Sequence, residues 1–205
     1  MKFAEMPVAQ LLDALASPHP TPGGGTAAAI AGAMGTSLLV MVSGLAKSRN
    51  NTDDEKAALA KAREALAPLA AELTRLADAD AQAFDHVMAA YRLPKGSAPE
   101  KTARTQAIQA ALTGATVVPL DTLRVCARAI TIAHTVAQHG NRSAASDARV
   151  AVALLRAAAA GADANVRANL DGLKDEAFKA ATDAEATRLS SEAVANTTAA
   201  LQALS

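Results

Sequence analysis

Thr21-Pro22-Gly23-Gly24-Gly25-Thr26, then AAAIAGAMGTSLLVMVSGLA over 27–46 and Lys47, is the stretch that decides the fold. Pro22 fixes φ just before the glycines, and three glycines open backbone conformations closed to other residues. Their N–H groups face the positive end of the helix that follows. Such a start is either a tight turn packed under a neighbouring helix or a cradle for a carboxylate, a phosphate or a polar ring edge. The run behind it has the length of a membrane span. It is rich in Ala and Gly rather than Leu, Ile and Phe, and it lacks an aromatic belt, so insertion is poorly driven. Ala28, Gly32 and Gly35 suit close helix–helix packing instead. The run therefore predicts a central helix surrounded by others.

The rest of the composition agrees with a helical protein. Apolar residues make up 51% of the 205, but aromatics only 2%, so the core must be built from Ala, Leu and Val at short helix–helix distances. Such a core stabilises less per residue than a Phe-rich one, and burial between subunits offsets part of that deficit. Twenty basic and twenty acidic residues cancel, which leaves no electrostatic footprint for nucleic acid or an anionic membrane. A single cysteine, Cys126, excludes a disulfide framework and a Cys-rich metal site. No secretory signal is visible at the N-terminus, so the chain reads as soluble and cytoplasmic.

Punctuation along the chain predicts one all-α domain over residues 1–205. A short helix over Pro7–Ala16 is stopped by SPHPTPGGG, and the apolar helix ends near Lys47. Thr52 or Asp53 caps a third helix running to about Tyr91, with Pro68 as a kink or boundary. After the loop LPKGSAP, a fourth helix spans Pro99 to about Gly114, and a fifth, kinked at Pro119, ends near His139-Gly140. Ser143 or Ser146 caps a helix to Ala160. Gly161 is expected to interrupt it before a segment carrying Asn165 and Asn169, and Gly172 to break the chain again ahead of a last helix over Lys174–Ala203. No strand alternation and no repeat appears.

Two carboxylates interrupt apolar stripes. In the third helix the stripe Leu66, Leu69, Leu73, Leu76 continues through Asp80 to Phe84, Val87 and Tyr91. In the sixth, Asp147 precedes Val150, Ala151 and Leu154 on one face. A carboxylate facing a core costs several kcal/mol unless paired, hydrogen-bonded or used, and burial tunes it as an acid or base. Asp147, near a helix start, reads equally as a cap or an internal ion pair. Asn141 and Ser143 flank the turn before Asp147, Asn165 and Asn169 share a face, and Lys95 sits on a loop. His19, His86, His134 and His139 lack metal-ligand spacing, so no metal site is expected.

In order along the chain, PTPGGGTAAAIAGAMG (20–35), DAQAFDHVMAAYRLPK (80–95), ATVVPL with Cys126 after it, and GNRSAASDARVAV with NVRAN (140–152, 165–169) resemble the cyclodeaminase/cyclohydrolase family. The resemblance runs from about Leu11 to Asn169. It implies an all-helical homodimer with a folate site and no cofactor beyond the tetrahydrofolate substrate. The implied reaction is hydrolysis of 5,10-methenyltetrahydrofolate to 10-formyltetrahydrofolate. The alternatives are closure of 5-formiminotetrahydrofolate with release of ammonia, or a divergent or non-catalytic pterin-binding paralogue. On this reading Asp147 and Asp80 handle protons, Gly23, Gly24, Gly25, Asn141 and Asn165 hold the pterin or its bridge, and Arg49 or Lys95 meets the glutamate carboxylates. Two places depart from the pattern: Ser143 stands where relatives often have a second asparagine before the Asp147 motif, and the segment after the apolar helix differs. Many relatives carry a Gly-Lys-Lys-Lys-Tyr-like sequence after the apolar helix, where this chain has Ser48-Arg49-Asn50-Asn51-Thr52.

Overall fold

The computed structural model describes residues 2–45 and 51–205, which form six α-helices and two short 3-10 turns, with no strand among the described residues. The helices are α1 (Val8–Ala16), α2 (Gly24–Gly44), α3 (Asp53–Tyr91), α4 (Ala98–His139), α5 (Ala145–Leu170) and α6 (Glu176–Ala203). Both longest helices begin in capping boxes. Thr52 Oγ1 accepts from Glu55 N–H while the Glu55 carboxylate accepts from Thr52 N–H, and Ser97 with Glu100 repeats the exchange. At the far end of α3 the Arg104 guanidinium donates to the Tyr91 carbonyl and lies over the Tyr91 ring. α6 starts at Glu176 because Asp175 caps it, accepting from Phe178 N–H.

Three expected breaks are absent. α4 is continuous, where two helices divided between Gly114 and Pro119 were expected, and α3 passes through Pro68. Pro119 has no N–H to bond the Ala115 carbonyl one turn back. The Asn169 side chain of α5 supplies that donor instead, its Nδ2 lying 2.8 Å from Ala115 O. Asn169 is thereby committed to the scaffold. Gly161 does not interrupt α5 either. It is a packing glycine, since a Cβ there would lie 3.1 Å from the Ala28 methyl.

The small residues of α2 do what their spacing suggests. α2 runs antiparallel to α3, with Gly32 against Leu73 and Gly44 against Arg63. It also runs antiparallel to α5, with Ala28 against Gly161 and Gly35 against Ala151 and Leu155. Cys126 of α4 meets Gly32 from a third side. The centre is filled by Leu39, Leu66, Leu73, Leu123, Ile130 and Leu155, all at 0% exposure. α6 docks on α4 and α5 through Arg124–Glu185 and Arg167–Asp183 ion pairs.

The expectation that α2 is surrounded on all sides needs correction. Met34 is 55% exposed and Met41 42%, and Ser37 and Leu45 are open with them, so one face of the helix has no neighbour. By length and composition alone α2 and part of α4 are apolar enough to cross a membrane; here both pack against other helices.

The antiparallel arrangement gives the bundle two poles. The first turn of α2, the Asp80 region of α3 and the Asn165 end of α5 share one. The C-terminal end of α2, the start of α3, the end of α4 and the start of α5 share the other, where Asn51 Nδ2 donates to His139 O and Val42 packs on Gly140.

Candidate functional site

The first pole is organised around one carboxylate. Gly23 caps α2 with no side chain to offer, so the helix start lacks the usual Ser, Thr or Asp oxygen. Asp80 takes that place from α3: Thr26 Oγ1 lies 3.1 Å from Asp80 Oδ2, and the Thr26 N–H also supports the ionised carboxylate. Asp80 reaches this position through the space a side chain on Gly25 would fill, and a Cβ there would overlap its carboxylate. Gly25 is thus required by close approach. No glycine in the described residues has a positive φ, so the expectation that these glycines supply backbone conformations closed to other residues is not met. Gly24 packs against Asn165 Nδ2, while Gly23 has only the Pro20 carbonyl nearby. Asn165 Nδ2 donates 2.8 Å to Gly161 O within its own helix, which leaves its carbonyl oxygen as an acceptor.

Burial pushes the Asp80 carboxyl above the ordinary carboxylate range, and the two Thr26 donors only partly oppose it. The result is a half-buried carboxylate with a heightened proton affinity, held by hydrogen bonds and with no counter-cation. A structural cap alone gains nothing from such desolvation; a base is improved by it.

A cleft of about 620 Å³ opens beside this pole. Its walls include Pro20, Thr21 and Pro22, which lead into Gly23, and Ala81, Gln82 and Asp85, which follow Asp80. Phe3, Met6, Asp13 and His19 close it from the N-terminal segment. The volume falls within the range of small-molecule sites. Sequence reasoning missed both this cleft and Thr26. The cleft joins residues some seventy positions apart in sequence, and Thr26, a lone hydroxyl entering an apolar run, was the one legible signal for the second.

The remaining expected site residues lie elsewhere. Asp147 is half-buried at the edge of the inward face: of the residues expected with it, Ala151 is fully buried and Leu154 packs toward Gly35, while Val150 is 52% exposed and Ala148 takes the more buried position beside Asp147. Asp147 sits in the first turn of α5, where the helix dipole favours a carboxylate. Eighteen residues of α5 separate it from Asn165, roughly 27 Å at 1.5 Å per residue, which places it at the second pole. Asn141 is there too, its Oδ1 accepting from Ser143 N–H at the entry to α5. Lys95 is exposed on the loop after α3, fifteen residues past Asp80 and beyond the end of the helix, which itself runs eleven residues, roughly 16 Å, past Asp80 to Tyr91. Arg49 lies outside the described residues. Among the described residues no group of three or more His, Cys, Asp or Glu side chains is placed to hold a metal ion.

Residues 7–188 match the family model described as formiminotransferase-cyclodeaminase. The chain is 47% identical to a methenyltetrahydrofolate cyclohydrolase of Methylorubrum extorquens, over 82% of this chain and 80% of that protein. It is 35% identical to the formimidoyltransferase-cyclodeaminase of Rattus norvegicus over 77% of this chain but only 29% of that longer protein. Its structure superimposes on the formiminotetrahydrofolate cyclodeaminase of Thermotoga maritima with a TM-score of 0.86 and 28% identity, covering 98% of this chain and 96% of that one. With a bundle of that shape and a carboxylate packed against the glycines of its second helix, the chain belongs to the formiminotransferase-cyclodeaminase family.

Proposed function

We propose that this protein hydrolyses 5,10-methenyltetrahydrofolate to 10-formyltetrahydrofolate. The observation that carries the reading is Asp80, a desolvated carboxylate fixed beside a cleft of ligand size. The substrate's methenyl bridge is a delocalised amidinium cation, so its carbon is already electrophilic. Asp80 takes a proton from water as its oxygen bonds to that carbon. The C–N5 bond of the tetrahedral adduct then breaks as Asp80 returns its proton to N5, and the adduct's hydroxyl loses its own proton to solvent to become the formyl carbonyl on N10, so one proton is released overall. An anionic base also stabilises the cationic substrate beside it. Gly23–Gly25 and Asn165, which share the Asp80 pole next to the cleft and do not line it, are the groups proposed to meet the bridge or pterin.

The runner-up is cyclodeamination of 5-formiminotetrahydrofolate, favoured by the likeness to the Thermotoga enzyme. Higher identity to the Methylorubrum cyclohydrolase, and coverage of most of its length, places hydrolysis first.

Asp147 enters this chemistry only through a second copy. α2 has its open apolar face centred on Met34, midway between Gly24 and Gly44. A twofold axis there lays two α2 helices antiparallel and brings the first pole of one copy beside the second pole of the other. We therefore propose a soluble, cytoplasmic homodimer in which Asp80 and Asn165 meet Asp147 and Asn141 of a second copy, with Arg49 or Lys95 left for the glutamate tail.

The test follows the absorbance of methenyltetrahydrofolate with purified protein against the spontaneous rate. Acceleration lost in Asp80→Asn supports the reading, and no acceleration with any folate overturns it. Mixing Asp80→Asn with Asp147→Asn subunits restores turnover if the site is shared between copies. It restores nothing if each copy works alone.

A further inference from the structure

Thr26 stands out because it has more acceptors than protons. It is fully buried, and its single hydroxyl hydrogen faces two oxygens: Ala77 O at 3.2 Å and Asp80 Oδ2 at 3.1 Å. A hydroxyl has one hydrogen to give and two lone pairs to receive with. When Asp80 is ionised, the hydrogen turns to Oδ2. When Asp80 holds a proton, the carboxyl O–H donates to Thr26 Oγ1, and the hydroxyl hydrogen turns to Ala77 O. Each protonation state has a complete hydrogen-bond set, and no heavy atom moves between them.

We propose that Thr26 is the positioning residue of Asp80, a hydroxyl rotor that lets the carboxyl gain and lose a proton at fixed geometry. The proposal rests on the reading of Asp80 as the acid–base group. Fixed geometry matters because a preorganised site has no reorganisation to complete during proton transfer. Beside burial, the influences on Asp80 within one copy are both Thr26 donors, its hydroxyl and its N–H; in the proposed dimer Asp147 of a second copy faces it as well. Gly24 and Gly25 from α2 and Asn165 from α5 carry no charge. The ionisable groups on neighbouring elements are Asp78 and Asp85 of α3, and Asp13 and His19 across the cleft. Asp78 is engaged by the Ala4 N–H, His19 by Ser17 Oγ, and none of the four is among the influences on Asp80.

The test compares Thr26→Val, which keeps the shape and removes the hydroxyl, with Thr26→Ser, which keeps the hydroxyl. Two readouts are needed: the Asp80 carboxyl titration by carbon-detected NMR in the unliganded protein, and the pH profile of kcat for methenyltetrahydrofolate hydrolysis. A hydrogen bond to a charged acceptor outweighs one from a neutral donor, so Thr26→Val raises the Asp80 pKa by roughly one unit, making it about a tenfold weaker acid. The acid limb of kcat moves to higher pH by the same amount, and Thr26→Ser behaves as wild type in both. An unchanged Asp80 titration in a folded Thr26→Val protein overturns the proposal. A shifted titration with an unshifted kcat limb keeps the rotor and removes Asp80 from the chemistry, so the two readings fail separately.

Discussion

Gly25→Ala and Gly24→Ala, one residue apart in the same helical turn, should change stability in opposite directions. At both positions φ is negative, so alanine reduces the entropy of the unfolded chain and by itself stabilises by about 0.4–1 kcal/mol. At Gly24 that is nearly the whole effect, because the new methyl lies 3.7 Å from Asn165 Nδ2, an ordinary contact. At Gly25 the methyl coincides with the Asp80 carboxylate, whose Oδ2 would be 2.7 Å away. The carboxylate must leave its place. Overpacking of that kind costs about 1–3 kcal/mol, and loss of the Thr26 hydrogen bonds to a charged group costs about 1.5–3 kcal/mol more.

The penalties exceed the entropic gain, so Gly25→Ala is expected to lose about 2–4 kcal/mol. For a chain of this size each kcal/mol moves Tm by about 2–4 °C. Thermal unfolding followed by circular dichroism should therefore show Gly25→Ala lowered by roughly 5–12 °C and Gly24→Ala raised by about 1–3 °C. The carboxylate's displacement should also abolish turnover in Gly25→Ala. A Gly25→Ala protein that melts at or above wild type refutes the argument, since Asp80 would then not occupy that space.

Asp80→Asn keeps the shape and removes the base, so turnover should fall on the order of 10²–10⁴-fold in the absorbance assay while the fold persists. Its stability should also differ from wild type in a pH-dependent way. The folded pKa of Asp80 is raised, so the native state binds the proton more tightly than the unfolded chain; wild type is favoured below the ordinary carboxylate pKa and loses that advantage as pH rises through the raised one. Urea titrations at acid and neutral pH should show Asp80→Asn gaining on wild type as pH increases, and a gap independent of pH contradicts the desolvation. Asn169→Leu leaves the Ala115 carbonyl unpaired and should cost about 1–3 kcal/mol; in a Pro119→Ala background, which restores the helical N–H, the same change should cost far less, as a double-mutant cycle would measure. Cys126 is buried with its thiol pushed up to about 12, so native protein should resist iodoacetamide at neutral pH, and rapid alkylation without unfolding would contradict that burial.

The sequence was most informative where local pattern and tertiary demand coincide. The Thr52 cap, the packing of Gly32 and Gly35, and the Asp80 interruption of a leucine stripe are all periodicity or end signals, and all are in the structure. It was least informative where a distant residue cancels a local defect. Pro119 reads as a break because its missing donor is visible in the sequence, whereas the Asn169 amide that replaces the donor is fifty residues away. Gly161 reads as a break because its partner Ala28 belongs to another helix. The Asp147 stripe holds at Ala151 and Leu154 and fails at Val150, because one residue turns a side chain about 100° around the axis; Asp147 is left half-buried at the edge, next to the buried Ala148.

The raised proton affinity of Asp80 bears on both of the family's reactions. Hydrolysis and cyclodeamination meet at the same methenyl cation, one consuming it with water and the other producing it by expelling ammonia. Water attack needs a base, and loss of ammonia needs a proton delivered to the departing nitrogen. A carboxyl whose proton affinity is raised, and whose hydrogen bonds are complete in either protonation state, serves both. On the proposed reading, Asp80, Thr26 and Gly25 handle the proton without deciding the reaction. The preference between the two reactions comes from the relatives: the relative of highest identity cited above, 47% identical over 80% of its length, is a methenyltetrahydrofolate cyclohydrolase, which weighs toward hydrolysis.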